Sequence, residues 1–77
     1  MKILRFSIRS AMDEYEAKTG IHLSYESLSI LSGVSENTLK SISSRTNYNV
    51  TFQTVAQICN ALNVNPLDHM EWIDASE

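Results

Sequence analysis

Apolar residues recur along the chain at helical spacing, and each stripe predicts an element. Across "ILRFSIRSAMDEYEAKTG", Ile8, Met12 and Tyr15 fall at i, i+4 and i+7, with Ala11 beside them. That is one face of an amphipathic helix. Gly20 after Lys18 and Thr19 is a stop signal, which places a first helix at about 7–19. The preceding "KILRF" alternates Ile3 and Arg5 with Leu4 and Phe6, a pattern that suits a short strand.

Three further helices share one kind of start. Ser24, Ser35 and Thr51 are each an N-cap type, and each lies between two apolar residues that can clamp the first turn: Leu23 and Leu28, Val34 and Leu39, Val50 and Val55. The second helix is expected at about 25–32, with Leu28 and Leu31 on its buried face and Gly33 as its end. The third is expected at about 36–43, with Leu39 and Ile42 inward and Glu36, Asn37, Lys40, Ser41 and Ser44 on the opposite face. "SRTNYNV" is polar, carries two asparagines and reads as a loop. Phe52, Val55, Ile58, Cys59 and Leu62 make the clearest stripe and define a fourth helix at about 52–62. Asn65 as cap and Pro66 at a first helical position open a short fifth helix at about 66–70, and "EWID" suits a second short strand. With no repeat, low-complexity segment or linker, residues 1–77 are expected to form one all-α domain of five helices, with short terminal strands as an addition.

Composition narrows the function. The chain has 77 residues, 43% hydrophobic and 19% charged, which suits a small soluble domain with a modest core. Its single cysteine, Cys59, permits no internal disulfide and reads as a buried apolar residue in a reducing compartment. No apolar run approaches a membrane span, and "MKILRFSIRS" carries charges inside its apolar stretch, unlike a signal peptide. A cytoplasmic protein is the expectation. His22 and His69 have no Cys or acid at ligand spacing, so no metal is expected, and no cofactor either. Neither a nucleophile–base–acid set nor a phosphate-binding glycine loop is visible, which argues against an enzyme.

Net charge is −3 but uneven. Residues 1–45 hold all six basic residues and five acids, a balance of +1, whereas residues 46–77 hold four acids and no basic residue, a balance of −4. Any face for nucleic acid must be local, and the C-terminal end should point away from phosphate.

Residues 24–43 meet the physical needs of a helix-turn-helix: a short helix, a turn with a glycine, and a second helix with polar side chains outward. "LSYESLSILSGVSENTLKSI" followed by "VTFQTVAQICNALNVNPLDHMEW" resembles the phage-repressor and Cro type of helix-turn-helix, the Xre family. The likeness covers roughly residues 4–72, and "ICNALNVNPLDHMEW" is especially similar to compact single-domain bacterial regulators. This resemblance implies a lambda-repressor-like fold and a repressor-like regulator that binds double-stranded DNA as a homodimer. It places helix 36–43 in the major groove. Glu36, Asn37, Lys40 and Ser41 would meet base edges. Tyr25, Ser35, Ser44, Arg45, Asn47, Tyr48 and Asn49 would hold phosphates. Arg5 and Arg9 read as an exposed edge of the first helix or its strand.

Several positions depart from the family pattern, among them Ser29 for a small alanine and Ser43 to Arg45 for Glu and Gly, and two bear most on DNA contact. Tyr25 stands where glutamine is usual, and its hydroxyl can still donate to phosphate. Glu36 stands where many members have a basic residue, and it can accept from cytosine or repel phosphate. Ile3, Leu4, Phe6, Met70, Trp72 and Ile73 are the candidate dimer patch, unless the tail simply folds back on the first helix. The rival expectation is an antitoxin-like or accessory phage module that binds a partner protein, favoured by the acidic balance, Glu36 and Tyr25.

Overall fold

A computed structural model describes residues 1–45 and 49–74. In chain order the elements are β1 (Lys2–Phe6), α1 (Ile8–Thr19), α2 (Tyr25–Ser32), α3 (Glu36–Ser44), α4 (Phe52–Leu62), a 3₁₀ turn (Pro66–His69) and β2 (Met70–Asp74). Among the described residues the fold is therefore mostly helical, with four α-helices and a two-stranded sheet.

Every α-helix starts on a side-chain cap. Ser7, Ser24, Ser35 and Thr51 have extended backbone, and each accepts a hydrogen bond from the amide three residues on, at 3.3, 3.1, 3.2 and 3.1 Å. The backbone N–H groups of Gly20 and Gly33, at φ 75° and 78°, donate to Glu16 and Ser29 carbonyls and close α1 and α2. A left-handed residue without a Cβ does this without steric penalty. Asn63 takes the same conformation after α4.

The expected fifth helix is a single 3₁₀ turn. Asn65 caps it by accepting from the Leu67 amide at 3.0 Å, and the Asp68 amide donates to the Asn65 carbonyl at 3.1 Å. It cannot lengthen, because from Met70 onward the backbone pairs with β1. The two strands run antiparallel, with Phe6 opposite Met70, Arg5 opposite Glu71, Leu4 opposite Trp72, Ile3 opposite Ile73 and Lys2 opposite Asp74. Unlike charges face each other along this ribbon. Arg5 lies 3.8 Å from Glu71, and the amino terminus lies 3.3 Å from Asp74.

The core gathers Phe6, Ile8 and Ala11, then Leu28, Val34, Leu39 and Ile42, then Val55, Ile58, Cys59, Leu62 and Val64. Met12 and Tyr15 are half-buried and pack against it, and two further stripe residues lie outside. Leu31 is 55% exposed, because the inward face of α2 runs through Tyr25, Leu28, Ser29 and Ser32. The small serines on that face let α4 approach closely, and the Gln57 side-chain amide donates to the Ser32 carbonyl at 3.3 Å. Phe52 is 82% exposed, because it opens α4 before the helix reaches the core; Val50, just before the cap, packs there instead.

Where the ribbon joins the helices sits a buried histidine. His69 is 5% exposed, with Nδ1 2.8 Å from the Ser10 hydroxyl and Nε2 2.6 Å from a Glu14 carboxylate oxygen. The Ser7 amide donates to the His69 carbonyl at 2.8 Å. The hydrogen bond from His69 holds the Glu14 carboxyl below the usual carboxylate range. No described helix is long and apolar enough to cross a membrane.

Candidate nucleic-acid interface

The site is built on α2, its glycine turn and α3. Leu28 fixes α2 to the core, and Val34, Leu39 and Ile42 fix the turn and α3. Gly33 bends the chain between them, and the Val34 amide donates to the Ser32 hydroxyl at 3.2 Å. A Cβ at Gly33 would lie 3.6 Å from Gln57 Nε2, so the turn sits against α4 at ordinary contact distance. Ser35 sets the first turn of α3. Its hydroxyl accepts from the Thr38 amide and donates to Thr38 Oγ1 at 2.8 Å. The backbone at the start of the expected reading helix is thus fully specified before any ligand arrives.

With Leu39 and Ile42 buried, the opposite face of α3 must look outward. Asn37, Lys40 and Ser44 are exposed, and Glu36 and Ser41 are half-exposed. Glu36 and Lys40, one turn apart, form an ion pair at 3.1 Å. The Asn37 side-chain amide has no hydrogen-bond partner among the described residues. An exposed amide with both donor and acceptor available is the chemistry that recognises an adenine edge. At the other end of the helix, the Arg45 amide donates to the Ser41 carbonyl at 3.0 Å, and its side chain is exposed beside Ser44.

The expected phosphate-holding residues fall in three places, one of them Ser35, the exposed N-cap of α3. Ser44, Arg45 and Asn49 flank the segment after α3, while Asn47 and Tyr48 lie outside the described residues. Tyr25 stands apart from these, at the first position of α2. It is half-buried and lines a cleft of about 300 Å³ with Arg9, Met12, Asp13, His22 and Ser24. The hydroxyl of Tyr25 and the guanidinium of Arg9 have no partner among the described residues. A phenol and a cation beside a helix N-terminus make a suitable anion contact. Amphipathic spacing correctly puts Arg9 on an exposed edge of α1. Nothing in the sequence says that this edge abuts the start of α2.

The candidate dimer patch divides. Leu4 and Trp72, directly paired across the ribbon, are 56% and 66% exposed. Ile3, Ile73 and Met70 are half-buried. Phe6 is a core residue and leaves the patch, because it lies at the root of the ribbon where the sheet meets the helices.

One constellation is invisible in the sequence. Ser10, His69 and Glu14 form a hydroxyl–imidazole–carboxylate chain, although 59 positions separate Ser10 from His69. None of the three lines the cleft beside α2. Their position joins α1 to the 3₁₀ turn, which accounts for them as a fastening. Burial raises the thiol pKa of Cys59, which suits packing rather than reactivity.

Comparison with known proteins agrees with this geometry. No curated protein and no solved structure matches the chain significantly. The family model of the Cro/C1-type helix-turn-helix DNA-binding domain, however, matches residues 12–75, which takes in α2, the turn, α3 and α4. The polar outward face of α3 and this match agree on the chemistry, and the chain belongs to the Cro/C1-type helix-turn-helix DNA-binding family.

Proposed function

We propose that the protein is a sequence-specific, repressor-like transcriptional regulator that acts as a homodimer and folds as one domain. The observation that carries the reading is the polar outward face of α3, whose start is capped and whose inward side is anchored by Leu39 and Ile42. Helix α3 enters a major groove about 12 Å wide. Glu36, Asn37, Lys40 and Ser41 meet base edges. Tyr25, Ser35, Ser44, Arg45, Asn47, Tyr48 and Asn49 position the backbone, and Arg9 joins Tyr25.

A two-fold dimer would set the two α3 helices about 34 Å apart, to meet half-sites one turn apart. The exposed Leu4 and Trp72 pair supports a second copy of the chain as the partner, since an aromatic beside an aliphatic residue is a typical interface core. The acidic β2 then lies away from the phosphates.

Selection of bound fragments from a random duplex pool, followed by anisotropy titration, tests the reading. The expected result is an enriched two-fold sequence bound by two chains per duplex. Sedimentation of Trp72→Lys should show a monomer with weaker operator binding. A pool that yields no enriched sequence at low salt overturns the proposal.

A further inference from the structure

The ion pair on α3 has the dimensions of a base-pair edge. Glu36 Oε2 and Lys40 Nζ are 3.1 Å apart, and both side chains are about half-exposed on the outward face. In the major groove a C·G pair presents the cytosine N4 amino group as a donor beside the guanine O6 acceptor. Those two atoms are joined by a Watson–Crick N–H···O hydrogen bond, so their separation is about 2.9–3.0 Å. An acceptor oxygen and a donor nitrogen held at nearly the same spacing are the complement of that edge.

We propose that Glu36 and Lys40 read a single C·G base pair as one unit, with the ion pair kept intact. The carboxylate accepts from cytosine N4 while the ammonium donates to guanine O6. This deepens the DNA-reading role proposed above and rests on it. It gives Glu36 a place in the groove that a lone carboxylate lacks. An unpaired carboxylate driven toward phosphates loses its water and meets like charge, whereas here both charges keep a partner throughout. The pair is neutral as a whole, so it adds little attraction for phosphate and acts through base identity. A T·A pair presents an acceptor, O4, where the carboxylate needs a donor, and an amino group where the ammonium needs an acceptor. Both contacts fail together.

The test is selection from a random duplex pool with the wild-type chain, Glu36→Gln, Lys40→Met and the double variant. The wild type should enrich a sequence containing one invariant C·G column. Each single variant should flatten that same column, and binding to the selected site should fall about ten- to hundredfold. The double variant should bind no more weakly than the worse single one, because the two side chains act together. Melting temperatures of the variants serve as the folding control. A role confined to helix stability would move the melts and leave the columns unchanged. Variants that flatten two different columns, or none, overturn the proposal and leave the DNA-binding reading standing. A wild-type chain that enriches nothing overturns both.

Discussion

Gly33 and Gly20 share a conformation, with φ of 78° and 75°, but not a neighbourhood. Alanine at either position meets the left-handed penalty of about 1–2 kcal/mol. Only at Gly33 does the new methyl touch anything, namely Gln57 Nε2 at 3.6 Å, an ordinary contact. Gly20→Ala and Gly33→Ala should therefore destabilise by the same amount in urea unfolding. A distinctly larger loss at Gly33 would mean that the turn lies tighter against α4. Glu14 gives a second residue-level expectation. Its carboxyl titrates below its ordinary range in the folded protein, chiefly because His69 hydrogen-bonds to it. A lowered pKa contributes stability above the unfolded value, and that contribution disappears as pH falls through the folded value. Comparing wild type with Glu14→Gln should show a stability gap at neutral pH that closes below the ordinary carboxylate range. A gap that persists at the most acidic pH would remove charge from the account.

Among the elements, those with local causes were legible in the sequence. Ser24, Ser35 and Thr51 announced three helix starts, and each hydroxyl accepts the expected amide. Ser35→Ala should cost about 1 kcal/mol in chemical unfolding, the usual value of such a cap. A change near zero would show that packing of Leu39 alone sets the start of α3. What the sequence hid depends on distant partners. Leu31 and Leu28 look equivalent by spacing, yet the serines of α2 decide which side α4 approaches. The segment after Asn65 carries sound helix-start residues but stops after one turn, because β1 recruits the chain from Met70. His69 looks isolated until Ser10 and Glu14 meet it across the fold. The outward face of α3 was visible, since the places of Glu36, Asn37, Lys40 and Ser41 follow from helical periodicity once Leu39 and Ile42 are inside. The company of Arg9 and Tyr25 was not, because it depends on how α1 lies beside the start of α2.

For the whole molecule, acidity and DNA binding are compatible because the charges are already sorted. Arg5, Lys18 and Lys40 each have an acidic partner within 4 Å, at 3.8, 3.4 and 3.1 Å, which leaves fewer cations to neutralise phosphate. Each neutralised phosphate contributes about 0.9 to the slope of log K against log salt. Binding to non-specific duplex should therefore be weak, with a slope shallower than the roughly −5 per chain that six phosphate contacts would give. A slope near that of six free cations would show that these ion pairs open on DNA.

The ribbon carries a consequence for how the protein folds. Lys2 pairs with Asp74 and Phe6 with Met70, so its two strands come from opposite ends of the described chain. Joining them closes a loop that spans nearly all the described residues, and the entropy of that closure must be met before the pairing gives anything back. The helices, with α4 packed on α1 and α2, bring the two strands within reach. Closure is then expected to start at the root, where the Ser7 amide meets the His69 carbonyl and Phe6 enters the core, and to proceed outward. Amide exchange should retrace that order in reverse. Protection should be greatest in α4, lower at Phe6 and Met70, and least at Lys2 and Asp74. Uniform protection along both strands would instead mean that a second chain holds the ribbon shut.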